Sequence, residues 1–281
     1  MKDLSEVLLV CDFDNTICPT GDAMAKGIAF PGVPQGNYDA IRRFMAAGGH
    51  FAVVTGRSFP AYRHIQPLVP VNCPTGLFNG AGLYDYGQQR YLMQRAVPAD
   101  AIMRYREILD AFPSVAMEVF MWDERVYAVR PNDFAVRHQS FTKAPWQELR
   151  GLEELSELPA KLLFEDDAET LLRVRDFIVA QPWFSEYEAI FSTPNLLEFT
   201  ARGADKGGAA EELCALLGIQ KEHLYCAGDQ ENDLAMLELA REAFIPADCN
   251  PMLFDRGFTL VRPCTECSIA DIVERLEARY L

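Results

Sequence analysis

The 281-residue sequence contains no apolar run near the roughly 18 residues that a helical membrane span requires, no internal repeat and no low-complexity tract. Gly (18) and Pro (17) stay close to average usage, and 49% of the residues are apolar. Collagen-like, disordered and integral-membrane chains are thereby excluded, and a folded, soluble chain without a membrane partner is expected. Positive charge is scarce. Twenty-six Lys and Arg face 41 Asp and Glu, for a formal net charge of −15, and the longest basic cluster is Arg42-Arg43. A nucleic-acid backbone would meet a repulsive mean field, so no nucleic-acid partner is expected.

The eight cysteines, Cys11, Cys18, Cys73, Cys214, Cys226, Cys249, Cys264 and Cys267, show no framework spacing and read as reduced thiols. Cys264 and Cys267 form one C-x-x-C without a second pair or a nearby His, so they read as small side chains ahead of a helix. The opening MKDLSEVLLVCDFD flanks a five-residue apolar run with acidic residues, unlike a signal peptide, and a cytoplasmic location is expected.

What is present is an alternation of short apolar runs with helical periodicity, the pattern of strands joined by helices in a parallel sheet. Val7–Cys11 reads as a strand covered on both faces, ending in Asp12-Phe13-Asp14-Asn15-Thr16. Asn37 reads as the N-cap of a helix with Ile41, Phe44 and Met45 inward, stopped by Gly48-Gly49. Phe51–Val54 is a second strand, ending in Thr55-Gly56-Arg57, and Gly76–Ala81 a third, giving β-α-β-α-β over residues 1–84. From Asp85 the texture becomes antiparallel: a turn at 85–88, a hairpin of 115–122 with 125–130, strands near 160–164, 188–192 and 196–200, and a helix over 167–179. The first pattern resumes with a helix over 206–217 capped by Gly218, a strand at 224–227, Gly228-Asp229-Gln230-Glu231-Asn232-Asp233, and a helix over 234–239. The expected fold is α/β: a Rossmann-like parallel-sheet core with helices on both faces, formed by 1–84 and 202–281, with an inserted α+β cap domain at 85–201.

Open parallel sheets bind ligands beyond the carboxyl ends of their strands. Those ends hold Asp12, Asp14, Thr55 and Asp229. Asp12 and Asp14, two apart on an extended strand end, would face the same side, and Asp229 could join them around one hard cation. Oxygen-only ligands suit Mg²⁺, which keeps waters and favours phosphate substrates, and this points to phosphoryl transfer. An acidic protein can take a phosphorylated ligand when a divalent cation and a few basic groups reverse the sign locally. The acidic run Glu165-Asp166-Asp167 reads as a strand end and helix cap.

With these residues in view, the sequence resembles the haloacid dehalogenase superfamily of phosphatases. Asp12–Thr16 is similar to its D-x-D-x-T motif, Thr55-Gly56-Arg57 to its second, and Lys206 with Gly228-Asp229 and Asn232-Asp233 to its third and fourth. Asn79-Gly80-Ala81 and G-D-x-x-N-D place the resemblance in the Cof-like branch with an inserted cap (type IIB), over nearly the whole chain. The resemblance implies Asp12 as nucleophile, forming an aspartyl-phosphate, and Asp14 as acid and base, held protonated while Asp12 is ionised. It implies a Mg²⁺ cofactor held by Asp12, the Asp14 carbonyl and Asp229. Thr55 and the Gly56 amide would bind phosphoryl oxygens with Arg57 beside them, and Lys206 would supply positive charge. Asp233 would orient Lys206 or a metal-bound water, and Asn232 would reach phosphate or metal.

Asn15 stands where the family usually has Gly, and Asn is among the few other residues that tolerate a left-handed backbone. The stretch 243–250 departs from the usual V-A-M-x-N-A, with Asn250 offered for its Asn. The expected partner is a small phosphorylated metabolite, a sugar or polyol phosphate, and the expected assembly a monomer or homodimer. The rival readings are a phosphomannomutase-like phosphotransferase and a non-catalytic sensor of a phosphorylated ligand.

Overall fold

A computed structural model of the chain describes residues 3–28 and 30–281; Met1 and Lys2, at the start of the segment read for a leader, lie outside them. Leu8–Cys11 sits inside a five-stranded, all-parallel sheet, between His50–Val53 on one side and Leu224–Ala227 on the other. Glu242–Pro246 and Thr259–Val261 extend it beyond Leu224–Ala227. Because side chains alternate along a strand, Leu9, Cys11, Phe51 and Val53 pack on one face, with Ile41, Phe44, Ile272 and Leu276 of the helices Gln35–Ala46 and Ser268–Tyr280. Leu8, Val10, Ala52 and Cys226 pack on the other, with Ala209, Leu213 and Met236 of Lys206–Leu217 and Leu234–Leu239. The core strands are thus apolar on both faces, as the continuous runs predicted.

A second, six-stranded sheet runs in the order Tyr187–Thr193, Leu196–Ala201, Lys161–Glu165, Ala116–Phe120, Val126–Val129 and Gln147–Glu148, antiparallel except for its last pair. Met117, Val119, Leu162, Phe164, Leu197 and Phe199 of one face form an apolar core with the helices Ala101–Ala111 and Ala168–Val179. The opposite face carries Glu118, Phe120, Lys161, Leu163, Glu165 and Glu198, as the strand register requires. No helix among the described residues is long and apolar enough to cross a membrane.

Two local expectations are corrected. Asn37 lies within the helix Gln35–Ala46, whose N-cap is Pro34. Its buried side chain donates to the Ile17 carbonyl and accepts from the amides of Ile269 and Ala270, so it caps a different helix, Ser268–Tyr280. That helix needs an outside acceptor because its own N-cap position, Cys267, is left-handed and offers no side-chain bond. The strand expected at 76–81 is only Thr75–Leu77; one parallel bridge, Val54 to Gly76, ties it to the core sheet. Phe78, Asn79 and Gly80 all have positive φ (54°, 59° and 95°) and reverse the chain into Gly82–Asp85. A Cβ at Gly80 would collide with the Asp205 carbonyl, so glycine is required there on both counts. The resulting three-stranded antiparallel sheet, completed by Arg90–Gln94, spans the expected junction at 84/85.

Candidate active site

The first loop begins as a continuation of the central strand, with the Asp12 amide donating to the Ala227 carbonyl at 2.9 Å. It then folds back, the amides of Ile17 and Cys18 both donating to the Phe13 carbonyl. Asn15 takes the left-handed conformation at φ 56°, and its Oδ1 accepts from the Gly21 amide at 2.7 Å, so the residue standing in place of glycine supports the turn itself. This turn corrects the expectation that Asp12 and Asp14 face one cation together: the strand ends at Cys11, and period-two geometry ends with it.

Asp12 points into a buried cluster with Lys206, Asp229 and Asp233, all at most 5% exposed. The Lys206 ammonium donates to Asp12 Oδ1 and Asp233 Oδ1, at 2.7 Å each. One carboxylate oxygen from each of Asp12, Asp229 and Asp233 lies within 4.8 Å of the others. Lys206 is the first residue of its helix, held there by Asp205, whose side chain accepts from the Gly208 amide. Asp233 Oδ2 accepts from the amides of Asp229 and Gln230, at 2.8 and 2.9 Å, which folds 228–233 into a tight turn against Gly228. Asp233 thereby orients Lys206 and the Asp229 loop, and it stays within the group of carboxylates that could hold a cation. Asp229 accepts from the Thr16 hydroxyl at 3.0 Å, joining the first and last motif loops.

Electrostatics separates the two loop carboxylates. Burial, the dominant cause, raises Asp12 to about 7; Lys206 pulls it down, while Asp233 and Asp14 push it up. Burial also raises Asp229 well above the carboxylate range, reinforced by Asp12 and Asp233. Lys206 is driven upward: burial opposes its charge, but its two carboxylate partners outweigh burial. Asp14 behaves in the opposite way. Burial pushes it up, yet Arg57 outweighs this, and its pKa is lowered. Arg57 holds Asp14 with both prongs, Nε to Oδ2 at 2.8 Å and Nη2 to Oδ1 at 2.7 Å, and Thr20 adds a bond of 2.7 Å. The expectation of an Asp14 held protonated is therefore corrected: a bidentate guanidinium favours its ionised form.

Thr55 is fully buried, its Oγ1 accepting from the Arg57 amide at 3.2 Å. Asn79 and Phe78 wrap this loop by donating their amides to the Thr55 and Arg57 carbonyls. Asn232 donates to Asn79 Oδ1 at 2.9 Å, while its own Oδ1 is buried without a partner among the described residues. Asn250 reaches the site at one remove, through Gln230 Oε1 at 3.1 Å. The structure therefore gathers Asp12, Lys206, Asp229 and Asp233 into one cluster, with Asp14 paired to Arg57 beside it and Thr55, Gly56 and Asn232 along its edge. Oxygen donors alone, buried and net anionic, fit a hard divalent cation of the Mg²⁺ type.

The sequence reading missed a roof over this site. Lys161, on the second sheet, donates to the Gly56 carbonyl at 2.9 Å and pairs with Glu198 at 2.7 Å. Phe141, on the helix Asp133–Thr142, lies over Arg57 at 5.6 Å. The available signal was a charge inside an otherwise apolar strand, as in Lys161-Leu162-Leu163-Phe164 and Leu196-Leu197-Glu198-Phe199. Trp122 packs edge-on against Phe78 and Tyr91. Tyr127 joins the apolar core of the six-stranded sheet, and Arg125 pairs with Asp123.

Comparison with known proteins agrees with this geometry. A family model for haloacid dehalogenase-like hydrolases matches residues 9–251. A protein of Streptococcus pyogenes serotype M6 whose name carries the word phosphatase is 24% identical over 225 residues, 78% of this chain and 80% of its own. SMU.1108c of Streptococcus mutans UA159 superposes with a TM-score of 0.82 at 16% identity, covering 98% of this chain and 99% of its own. The sugar phosphatase BT4131, of subclass IIB, gives 0.80 at 17% identity, with 96% and 99% covered. At these identities the solved structures establish the fold.

Proposed function

The chain belongs to the haloacid dehalogenase-like hydrolases, as a phosphatase of the Cof-like, type IIB branch, and from that premise we propose that it hydrolyses a small phosphorylated metabolite, a sugar phosphate, with Mg²⁺ through an aspartyl-phosphate. The observation that carries the reading is the buried contact of Lys206 with both Asp12 and Asp233 beside Asp229. This arrangement holds the carboxyl nucleophile next to fixed positive charge in a buried place.

Asp12 attacks phosphorus, forming the aspartyl O–P bond as the bond to the leaving alcohol breaks; water then attacks the same phosphorus and releases Asp12. Bound at Asp12 and Asp229, Mg²⁺ supplies Lewis-acid neutralisation of the charge between nucleophile and phosphate. Lys206 stabilises the charge that gathers on the phosphoryl oxygens, and Thr55 with the Gly56 amide positions them. Asp14 must hold a proton to give to the leaving oxygen, so its pair with Arg57 has to loosen. An incoming phosphate dianion competes for the same guanidinium prongs, which couples substrate arrival to release of Asp14.

The segment 85–201 acts as a lid, with Lys161 and Glu198 facing the leaving group over the Gly56 carbonyl. The sugar-phosphate assignment rests on the kinship in fold with BT4131 and on this polar roof. The test is phosphate release from a panel of phosphorylated metabolites with Mg²⁺, with EDTA, and with Asp12→Ala. Turnover that needs the metal and Asp12, without an added acceptor sugar, supports hydrolysis. Turnover only with an acceptor sugar identifies a phosphotransferase, and binding without turnover identifies a sensor.

A further inference from the structure

The inner face of the six-stranded sheet holds a second buried cluster that the reaction does not use. Glu118 lies on Ala116–Phe120 and Glu165 on the adjacent Lys161–Glu165, two register positions apart on the same face. His138, on the helix Asp133–Thr142, sits across both: its Nδ1 is 3.1 Å from Glu118 Oε2 and 2.9 Å from Glu165 Oε1. One ligand atom of each of the three lies within 4.8 Å of the others. Glu118 is 2% exposed and Glu165 fully buried. A single Nδ1–H carries one proton, and its hydrogen bond goes to Glu118. Glu118 Oε1 and both oxygens of Glu165 are left buried without a hydrogen-bond partner among the described residues. Unmade hydrogen bonds at buried carboxylate oxygens are costly, and native interiors rarely retain them.

We propose that Glu118, His138 and Glu165 bind one divalent transition-metal ion, of the Zn²⁺ or Mn²⁺ class, at a site in the lid separate from the aspartate cluster of the core. Two carboxylates and an imidazole that has given up its extra ring proton in exchange for the ion would bring a formal charge of −2 to one point, which a divalent ion cancels. The mixed oxygen and nitrogen donor set selects a borderline ion over Mg²⁺, which prefers oxygen throughout. Lys161, a cation on the same face, is already engaged by Glu198 and the Gly56 carbonyl. An ion here also has a structural task. The helix Asp133–Thr142 fully buries only Ala135 of its ten residues, so apolar packing fixes it weakly, and metal ligation through His138 would fasten it to two strands.

The proposal is independent of the reaction, and its test reads metal ligation directly. Equilibrium dialysis with Zn²⁺ would be run on the intact chain and on Asp229→Asn, which weakens the all-oxygen core cluster. X-ray absorption at the zinc edge would report imidazole ligation, which no residue of the core cluster can supply. The Asp229→Asn chain is expected to retain one zinc with imidazole in its shell and to gain thermal stability on binding it. Adding His138→Gln or Glu165→Gln is expected to lower zinc affinity at least tenfold and to remove the stabilisation, and His138→Gln also to remove the imidazole signal. Glu118→Gln, nearly isosteric, serves as the further variant should either of these fail to fold, with the same loss of affinity expected. The proposal is overturned by a chain that binds no zinc, by a bound zinc without imidazole, or by affinity unchanged in these variants. It is overturned equally if the variants alter only the substrate KM, which would assign the cluster to substrate recognition.

Discussion

Two buried clusters of acidic residues lie among the described residues, and their chemistry diverges at the partners each was given. In the core, Asp12 and Asp233 share one lysine, Asp233 takes two backbone amides as well, and Asp229 takes the Thr16 hydroxyl. In the six-stranded sheet, the one imidazole hydrogen of His138 goes to Glu118, and three of the four glutamate oxygens have no hydrogen-bond partner among the described residues. The core set lies where loops leave the carboxyl ends of parallel strands, so backbone amides and a helix start are available to hold it. The two glutamates of the second set lie on strands of the sheet, Glu165 at the end of its own, where the backbone is largely spent on the sheet ladder and side chains or an ion must supply partners. A cluster held by its own protein is ready to act on a substrate; a cluster left bare is ready to be completed by a ligand.

The largest effect should come from removing the group that has no substitute. Asp12→Asn keeps the shape and is expected to lower phosphate release by about 10³-fold or more with the fold intact by circular dichroism, because the nucleophile is lost rather than weakened. Lys206→Met would turn the core cluster into something like the second one, buried carboxylates without a cation. Removing one partner of a buried ion pair typically costs about 3–5 kcal/mol, and denaturant unfolding should show a loss of that order, partly restored by Mg²⁺.

Next in size is the pH dependence of cation binding. Asp12 is raised to about 7 in the folded chain against an ordinary value of 3.8, so without a cation the fold loses stability as pH rises between these values. A cation must displace that proton. Mg²⁺ affinity measured by calorimetry should therefore weaken as pH falls below 7, by up to about tenfold per unit for each proton displaced. Affinity independent of pH between 5 and 7 would remove Asp12 from the ligand set.

The smallest effect concerns Arg57. Asp14 has a lowered pKa, so its pairing contributes stability that is present above its unfolded value and lost as pH falls through the folded one. Arg57→Gln should cost about 1–2 kcal/mol at neutral pH, since Asp14 remains partly exposed, and the two unfolding curves should converge below about pH 4. The same variant should move the basic limb of the rate profile to higher pH, as Asp14 then keeps its proton more readily.

These two regions also explain how much could be read from the sequence. The core site was legible because its residues cluster at the ends of apolar runs: 12–16, 55–57, 206 and 228–233 each follow a strand or open a helix. Its internal partition was not. The turn after Cys11 that sends Asp14 to Arg57 depends on Asn15 and on bonds from Gly21 and Thr20, none of which strand periodicity describes. Asn37 misled for a related reason, since a polar residue near a helix start can cap a neighbouring helix as well as its own. Glu118, His138 and Glu165 come from three separate elements with no local motif. Their only trace was a charge amid apolar strand residues; Glu165 does end its strand and Asp167 does cap the next helix, and neither role points to the cluster.

The most direct test of the central claim is to find where the phosphoryl group goes. The chain would be mixed with a phosphorylated substrate it turns over, quenched in acid, digested, and the peptides mapped by mass spectrometry. The account predicts a phosphoryl group on Asp12, formed with Mg²⁺ and absent with EDTA or in Asp12→Asn. Phosphate release at full rate with no label on Asp12, or with the label on another residue, would contradict it.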